Sequence, residues 1–176
     1  ARCRQGGDIP LDRAVEVDPG FALAHYQRSR MLDLQGASRL EQRSALLLAT
    51  KNLVRIPTHN RLEVDAWAAY LDGREEDAKA LALEAARASP EDKWLWWLAA
   101  EIPYRRDELA EAAGLFDRVH QLDPTLLVPN VALVTSLGAA GRLDRIREIA
   151  SRLDAFGADR ADVLVSLCFA RLWFDR

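Results

Sequence analysis

The sequence predicts an all-α fold in which helices pack as antiparallel pairs, and three observations support this prediction. Apolar residues recur at helical spacing, and no segment alternates in the way a β-strand does. Turn signals recur at intervals of 37, 34 and 34 residues, at Gly36, Gly73, Asp107 and Gly141. Prolines recur at intervals of 38, 33 and 34 residues, at Pro19, Pro57, Pro90 and Pro124. A fixed period of this size indicates a helical repeat.

The helix boundaries follow from capping signals. Asp or Ser followed by Pro marks a helix start, because the side chain caps free amides and proline fits the first turn. Glycine after a periodic run marks a helix end, because it adopts the left-handed conformation. In chain order the separators are Asp18-Pro19, Gly36, Pro57, Gly73, Ser89-Pro90, Asp107, Asp123-Pro124, Gly141 and Gly157. They predict helices at 8–17, 21–35, 40–55, 59–72, 75–88, 91–105, 108–121, 125–140, 143–155 and 160–173.

Two features depart from the regular pattern. The first interval is three or four residues too long, and we assign the excess to an insertion around Ala37 to Arg43. Pro103 lies late in the helix predicted at 91–105. Because proline removes a backbone hydrogen bond, we expect this helix to kink or to end irregularly there.

Length and charge limit the classes of protein that fit. A chain of 176 residues is long enough for one domain with a substantial core. The formal charge of −3 argues against a nucleic-acid partner, which needs a dense basic surface. No apolar run is long enough to cross a membrane, so no membrane association is expected. Cys3 and Cys168 form no disulfide framework, which favours a reduced, cytoplasmic setting.

The repeat unit, with its helix–turn–helix pattern and closing proline, resembles the tetratricopeptide repeat. The family signature is best matched by the unit that begins at residue 93, with Trp96, Ala99, Ala112, Phe116 and Pro124 at the expected places. The resemblance implies one domain over 1–176 forming a right-handed superhelix, with repeat units at 22–58, 59–92, 93–126, 127–160 and a half unit at 161–176. The chain starts without Met and within a unit, so we expect it to be truncated at both ends, with apolar end faces able to self-associate.

Helical spacing predicts core positions, and the resemblance implies groove positions. Ala112, Phe116 and Val119 fall on one helical face and are predicted core, as is Trp96. The same spacing predicts a second core stripe at Leu143, Ile146, Ala150 and Leu153. The resemblance implies that four places on the first helix of each unit line a concave groove. The groove residues predicted to bind a partner are Tyr26, Arg30, Glu63, Trp67, Tyr70, Trp94, Trp97, Glu101 and Tyr104.

Aromatic residues in such a groove suit peptide binding, because tryptophan and tyrosine are frequent binding anchors. The alternative is that these rings pack against one another or against the Pro103 kink. We expect Trp97→Ala to weaken partner binding with little change in helicity, whereas unfolding would place the rings in the core. Chaperone-binding repeats hold a carboxylate with several cations, but Arg30 is the one cation at the corresponding places. A carboxylate clamp is therefore not expected.

Catalysis finds little support in the sequence. His25, His59 and His120 are isolated, without metal-ligand spacing, so no metal or other cofactor is expected. Neither a phosphate-binding loop nor a nucleophile elbow occurs. Glu63 and Glu101 could form an acid/base pair, but acidic residues are common on solenoid helices.

The sequence therefore favours a non-enzymatic scaffold that binds a peptide or protein segment in an aromatic groove. The runs FALAHYQRS and DAWAAYLDGREEDA resemble repeat regions attached to bacterial signalling proteins, which implies part of a larger regulatory protein. One alternative is a sensor domain for a small apolar ligand or signalling peptide. Another is the non-catalytic part of an enzyme such as a kinase or cyclase.

Overall fold

The computed structural model describes residues 8–154, with side chains given for all of these except 8–10, 59, 153 and 154. Helices account for the regular structure of this range, which contains no strand, and the all-α prediction is confirmed. The helices are α1 (Asp8–Val17), α2 (Ala22–Leu34), α3 (Arg39–Lys51), α4 (Thr58–Leu71), α5 (Glu75–Ala88), α6 (Lys93–Arg105), α7 (Leu109–Leu122), α8 (Leu127–Ala139) and α9 (Leu143–Asp154). The helix predicted at 160–173, the half unit at 161–176 and both cysteines lie outside the described residues.

Most helix boundaries fall within one or two residues of their predicted places. The exception is the helix predicted at 40–55, because α3 ends at Lys51 and a short 3-10 turn follows at Leu53–Arg55. The Arg55 guanidinium pairs there with the Asp18 carboxylate. The segment between α3 and α4 therefore holds most of the excess length of the first unit. The expected insertion at 37–43 is wrong, since α3 is already helical from Arg39.

The turns predicted within the repeat units share one geometry. Gly36, Gly73 and Gly141 have positive φ angles of 73°, 77° and 68°, and Asp107 has 63°. The amide of each donates to a carbonyl three residues earlier, and the next amide donates to a carbonyl five residues earlier, at 2.9–3.2 Å. This pattern is the Schellman motif, which satisfies carbonyls left free at a helix end.

Pro103 is accommodated inside a helix. α6 continues past it to Arg105, so the expected irregular end is wrong. The Pro103 carbonyl accepts hydrogen bonds from the amides of Arg106 and Glu108, at 3.2 and 2.9 Å. The bond from Glu108 belongs to the Schellman turn at Asp107, so α6 ends with the same geometry as the helices before the glycine turns although proline contributes no amide.

The chain divides into two compact units, and the boundary follows Leu81 within α5. In the first unit α2 packs against α1 and α3, and α3 also contacts α4. In the second unit α7 packs against α6 and α8, and α8 contacts α9. The second-unit core contains the predicted residues Ala112, Phe116, Val119 and Ile146, all at most 1% exposed. These core predictions are confirmed; Leu143 and Ala150 pack at the edge of the same core.

Candidate protein-binding surface

The predicted groove residues of the first unit have their aromatic rings inside the protein. Tyr26 and Trp67 are each 1% exposed, and Tyr70 is also buried. The Tyr26 hydroxyl donates to the Glu63 carboxylate at 2.7 Å. A ring from α2 and a carboxylate from α4 thus satisfy each other within the unit.

A buried serine holds the Trp67 ring in place. The indole Nε1 of Trp67 donates to Ser29 Oγ at 2.8 Å, and the Ser29 hydroxyl donates to the Gln42 carbonyl at 2.8 Å. One hydroxyl thereby links α4, α2 and α3. No sequence motif marks Ser29, although its place on α2, one turn after the buried His25, puts it on the inward face.

Two arginines extend this buried pair of rings. Trp67 and Tyr70 stack with centroids 5.2 Å apart and planes at 21°. The Arg30 guanidinium carbon lies 4.4 Å from the Trp67 ring centroid, and that of Arg39 lies 5.2 Å from the Tyr70 centroid. Such contacts stabilise a ring stack electrostatically. The geometry in this unit therefore favours the alternative in which the rings pack against neighbours, and their role in partner binding stays a prediction.

The second unit presents an aromatic surface, the Trp94 platform, formed by Trp94, Trp97 and Lys93 at the start of α6. Trp94 is 49% exposed and stacks on Trp97, with centroids 5.4 Å apart and planes at 30°. The Lys93 ammonium lies 5.1 Å from the Trp94 ring centroid. The Trp94 amide donates to the Asp92 carboxylate, which caps the helix. An accessible ring is thus fixed by a ring beneath it, a cation beside it and a capped backbone.

Electrostatics fix Lys93 as well. Its ammonium contacts the Asp123 carboxylate at 2.5 Å, and Thr125 donates to the same carboxylate. These hydrogen bonds, Lys93 first, lower the pKa of Asp123 to about 2. Because Asp123 remains ionised at any physiological pH, Lys93 stays anchored beside Trp94.

The sequence predicted that Trp96 faces the core and that Trp94 and Trp97 face the groove. Trp94 does keep an accessible ring, but Trp96 and Trp97 are both partly buried against the second-unit core. Trp96 donates its indole hydrogen to the Pro90 carbonyl at 2.9 Å. The Trp97 indole nitrogen is buried and has no hydrogen-bond partner within the described part of the chain.

The other predicted residues of this unit make internal contacts. Glu101 is 7% exposed and pairs with Arg105 at 3.2 Å. Tyr104 meets Phe116 edge-on, with centroids 5.7 Å apart and planes at 85°. A prominent open depression of about 640 Å³ lies beside Trp94 and is lined by residues 89–94.

A buried polar pair, His120 and Asn130, connects α7 to α8. The Asn130 amide nitrogen donates to the Pro124 carbonyl at 2.6 Å, so its oxygen faces His120 Nδ1 at 2.9 Å. The imidazole must therefore carry its hydrogen on Nδ1. Burial lowers the pKa of His120 despite this hydrogen bond and the nearby Asp117. His120 is a neutral interior residue that ties α7 to α8 through Asn130.

Two features of the described residues bear on other classes of function. Within residues 8–154, no group of three or more metal-binding side chains converges on a common point. No helix in this range combines the length and apolar character needed to span a bilayer.

Comparison with known proteins shows the fold. No protein-family model matches the chain, and a search of curated proteins also finds no match. Among solved structures the chain is similar to PilF from Pseudomonas aeruginosa, with a TM-score of 0.56 and 19% identity, covering 96% of this chain and 76% of that one. PilF is a tetratricopeptide-repeat protein, and the likeness supports a tetratricopeptide-like fold here. At this identity the likeness concerns the fold, since one fold hosts many functions.

Proposed function

We propose that the chain is a non-catalytic interaction module that binds a peptide or protein segment at the Trp94 platform. One observation carries the proposal: Trp94 keeps half of its surface exposed while Trp97 and Lys93 hold it in place. A fixed, accessible tryptophan is a strong anchor, because it buries much apolar area without ordering a mobile side chain. The tetratricopeptide-like fold supports a scaffold role.

The surroundings of Trp94 suggest how a segment would be held. The adjacent depression is floored by the turn at Pro90, whose carbonyl accepts hydrogen bonds from Trp96 and Arg118. A partner side chain would enter this depression while a neighbouring apolar group covers the Trp94 ring. Glu91, with a largely exposed side chain, would orient charged groups at the rim.

The wider context is also part of the proposal. A place in a larger bacterial regulatory protein, in the cytoplasm, rests on the resemblance of two sequence runs and on the cysteine pattern. The binding roles predicted for the first-unit residues are also proposals. Their rings and charges have partners within that unit, so binding there would have to use the same side chains.

Thermal melting separates the scaffold from a small-ligand sensor. Peptides selected from a random displayed library against the chain are expected to raise its melting temperature, because a ligand of the folded state stabilises it. The rise should disappear in Trp94→Ala and persist in Leu34→Ala, a control with similar exposure of 50% on the other unit. A rise with small apolar molecules and none with peptides would favour the sensor instead.

A further inference from the structure

A second exposed apolar surface lies on the first unit, apart from the Trp94 platform. Leu40, Ser44, Leu47 and Leu48 follow one another at the spacing of a single helical face, and we name them the α3 ridge. Leu40 is 75% exposed and Leu47 is 52% exposed, and Leu48 is exposed as well. Large apolar side chains grouped on one helical face mark interaction surfaces more often than single exposed residues do.

Grooves run along both sides of this ridge. One, of about 470 Å³, lies between α2 and α3 and includes Leu32, Leu40 and Leu48. The other, of about 380 Å³, lies between α3 and α4 and includes Leu40, Leu47 and Ala68. Leu40 and Ser44 line both grooves, which places them on the crest between the two.

We propose that the α3 ridge docks an amphipathic helix of another protein, with an apolar face and acidic flanks. A ridge between two grooves is the shape that a second helix fills when its own side-chain rows interdigitate. An extended peptide fits less well, since the amides and carbonyls of a helical surface are already paired and offer it no backbone hydrogen bonds.

The charges of α3 favour a partner helix with acidic flanks. Three basic side chains, Arg39, Arg43 and Lys51, accompany one acidic side chain, Glu41. Arg43 already pairs with Asp72 of α4 at 3.1 Å, so the charge argument rests on Arg39 and Lys51. The Glu41 carboxylate accepts hydrogen bonds from the amide and hydroxyl of Ser38 in a capping box, so its charge is engaged at the helix start. A second copy of α3 would bring basic groups against basic groups, whereas an acidic helix complements them.

The probes are two synthetic amphipathic helices with the same leucine face, one flanked by glutamate and one by lysine. Fluorescence anisotropy with the full chain should show the glutamate peptide binding at least about tenfold more tightly than the lysine peptide. Replacing both Leu40 and Leu47 with alanine should weaken the glutamate peptide by about tenfold or more. Leu34→Ala, whose side chain has similar exposure to Leu47, should change binding by less than about twofold.

Lys51→Glu tests the charge argument without altering the apolar ridge, and it should reduce or reverse the preference between the two peptides. A loss of affinity in Trp94→Ala, with none in the double alanine variant, would place the peptide at the Trp94 platform instead and overturn the proposal. Equal affinity for the two peptides, or no binding of either, would overturn the proposal. So would concentration-dependent self-association in sedimentation that the double alanine variant abolishes, since the occupant would then be a second copy.

Discussion

Ser29 shows how one small polar residue supports the larger ones around it. Its hydroxyl accepts from Trp67 and donates to the carbonyl of Gln42, and all of its surface is buried. Replacing Ser29 with alanine leaves the buried indole hydrogen of Trp67 without an acceptor. We expect a loss of about 1–3 kcal/mol in the free energy of unfolding, measured by urea denaturation.

Ser44→Ala is the matched control for this measurement. Its hydroxyl is exposed and donates to a carbonyl of its own helix at 2.8 Å. We expect a change within about 0.5 kcal/mol. A Ser29→Ala variant as stable as this control would show that the link between α2, α3 and α4 contributes nothing to stability.

His120 predicts a dependence of stability on pH. Burial lowers its pKa in the folded chain below the ordinary value of 6.5, so the unfolded chain binds the proton more readily. The neutral imidazole therefore contributes fully to the free energy of unfolding above pH 6.5. This contribution declines as the pH falls from 6.5 toward the pKa of the folded chain. The free energy of unfolding should decrease from pH 7.5 to pH 5, by at most about 1.4 kcal/mol per pH unit from this group.

The control is His120→Gln, which removes the titrating group from the same place. The difference between wild type and variant should depend on pH in this interval, whereas the contributions of the other histidines cancel. If the two curves run parallel, His120 does not titrate differently in the folded and unfolded chains.

The residue scale is also where sequence reasoning about the site was weakest. The tetratricopeptide resemblance places Tyr26, Trp67 and Trp94 in one groove, yet the first two are buried and Trp94 is half exposed. The deciding contacts are polar ones made by Ser29 and Glu63 in the first unit. Spacing identifies a face of a helix, but it does not show how far neighbouring helices cover that face.

The turns at the ends of the helices allow a test of backbone conformation. An alanine Cβ at Gly141 would meet no atom within 4 Å, but the residue has a φ of 68°. The cost of Gly141→Ala is therefore conformational, and we expect a loss of about 1–2 kcal/mol in the free energy of unfolding. Chemical denaturation measures it.

Gly114→Ala adds the same methyl group, but we expect it to stabilise the chain and not to destabilise it. Gly114 lies inside α7, where a Cβ would also meet nothing within 4 Å. Alanine there should stabilise the chain by about 0.5–1 kcal/mol, because glycine weakens a helix interior. Equal effects at the two positions would contradict the assignment of Gly141 to a left-handed cap.

Elements were predicted more accurately than side-chain contacts. The regular spacing of the turns predicted a turn at Asp107, although the residue there is not glycine, and the turn has a positive φ angle. The prediction of an irregular end at Pro103 was wrong, because it applied a rule for helix interiors to the last turn of a helix. There the hydrogen bonds of the following Schellman turn complete the end of α6. The prediction put the extra residues of the first unit before α3, whereas most of them lie between α3 and α4. Periodicity gives the length of an interval but not the place of the extra residues within it.

For the whole molecule, repetition makes the fold class readable from sequence. Each helix pair repeats a preceding proline, a turn between its helices and an apolar face. These weak local signals therefore add up to a clear period. Function is less readable, because a binding surface depends on the few rings that packing leaves accessible. Among the described residues of the second unit, Trp94 is the aromatic residue with an exposed ring.

The measurement that tests the central claim most directly is the affinity of a selected peptide for the wild-type chain, Trp94→Ala and Trp94→Phe. Titration calorimetry should show Trp94→Ala weakening the peptide by about tenfold or more, which is about 1.4 kcal/mol, with an unchanged melting temperature. Trp94→Phe should retain most of the affinity, because it keeps an aromatic face above Trp97. Affinity unchanged in Trp94→Ala would contradict the account and place peptide binding elsewhere on the chain.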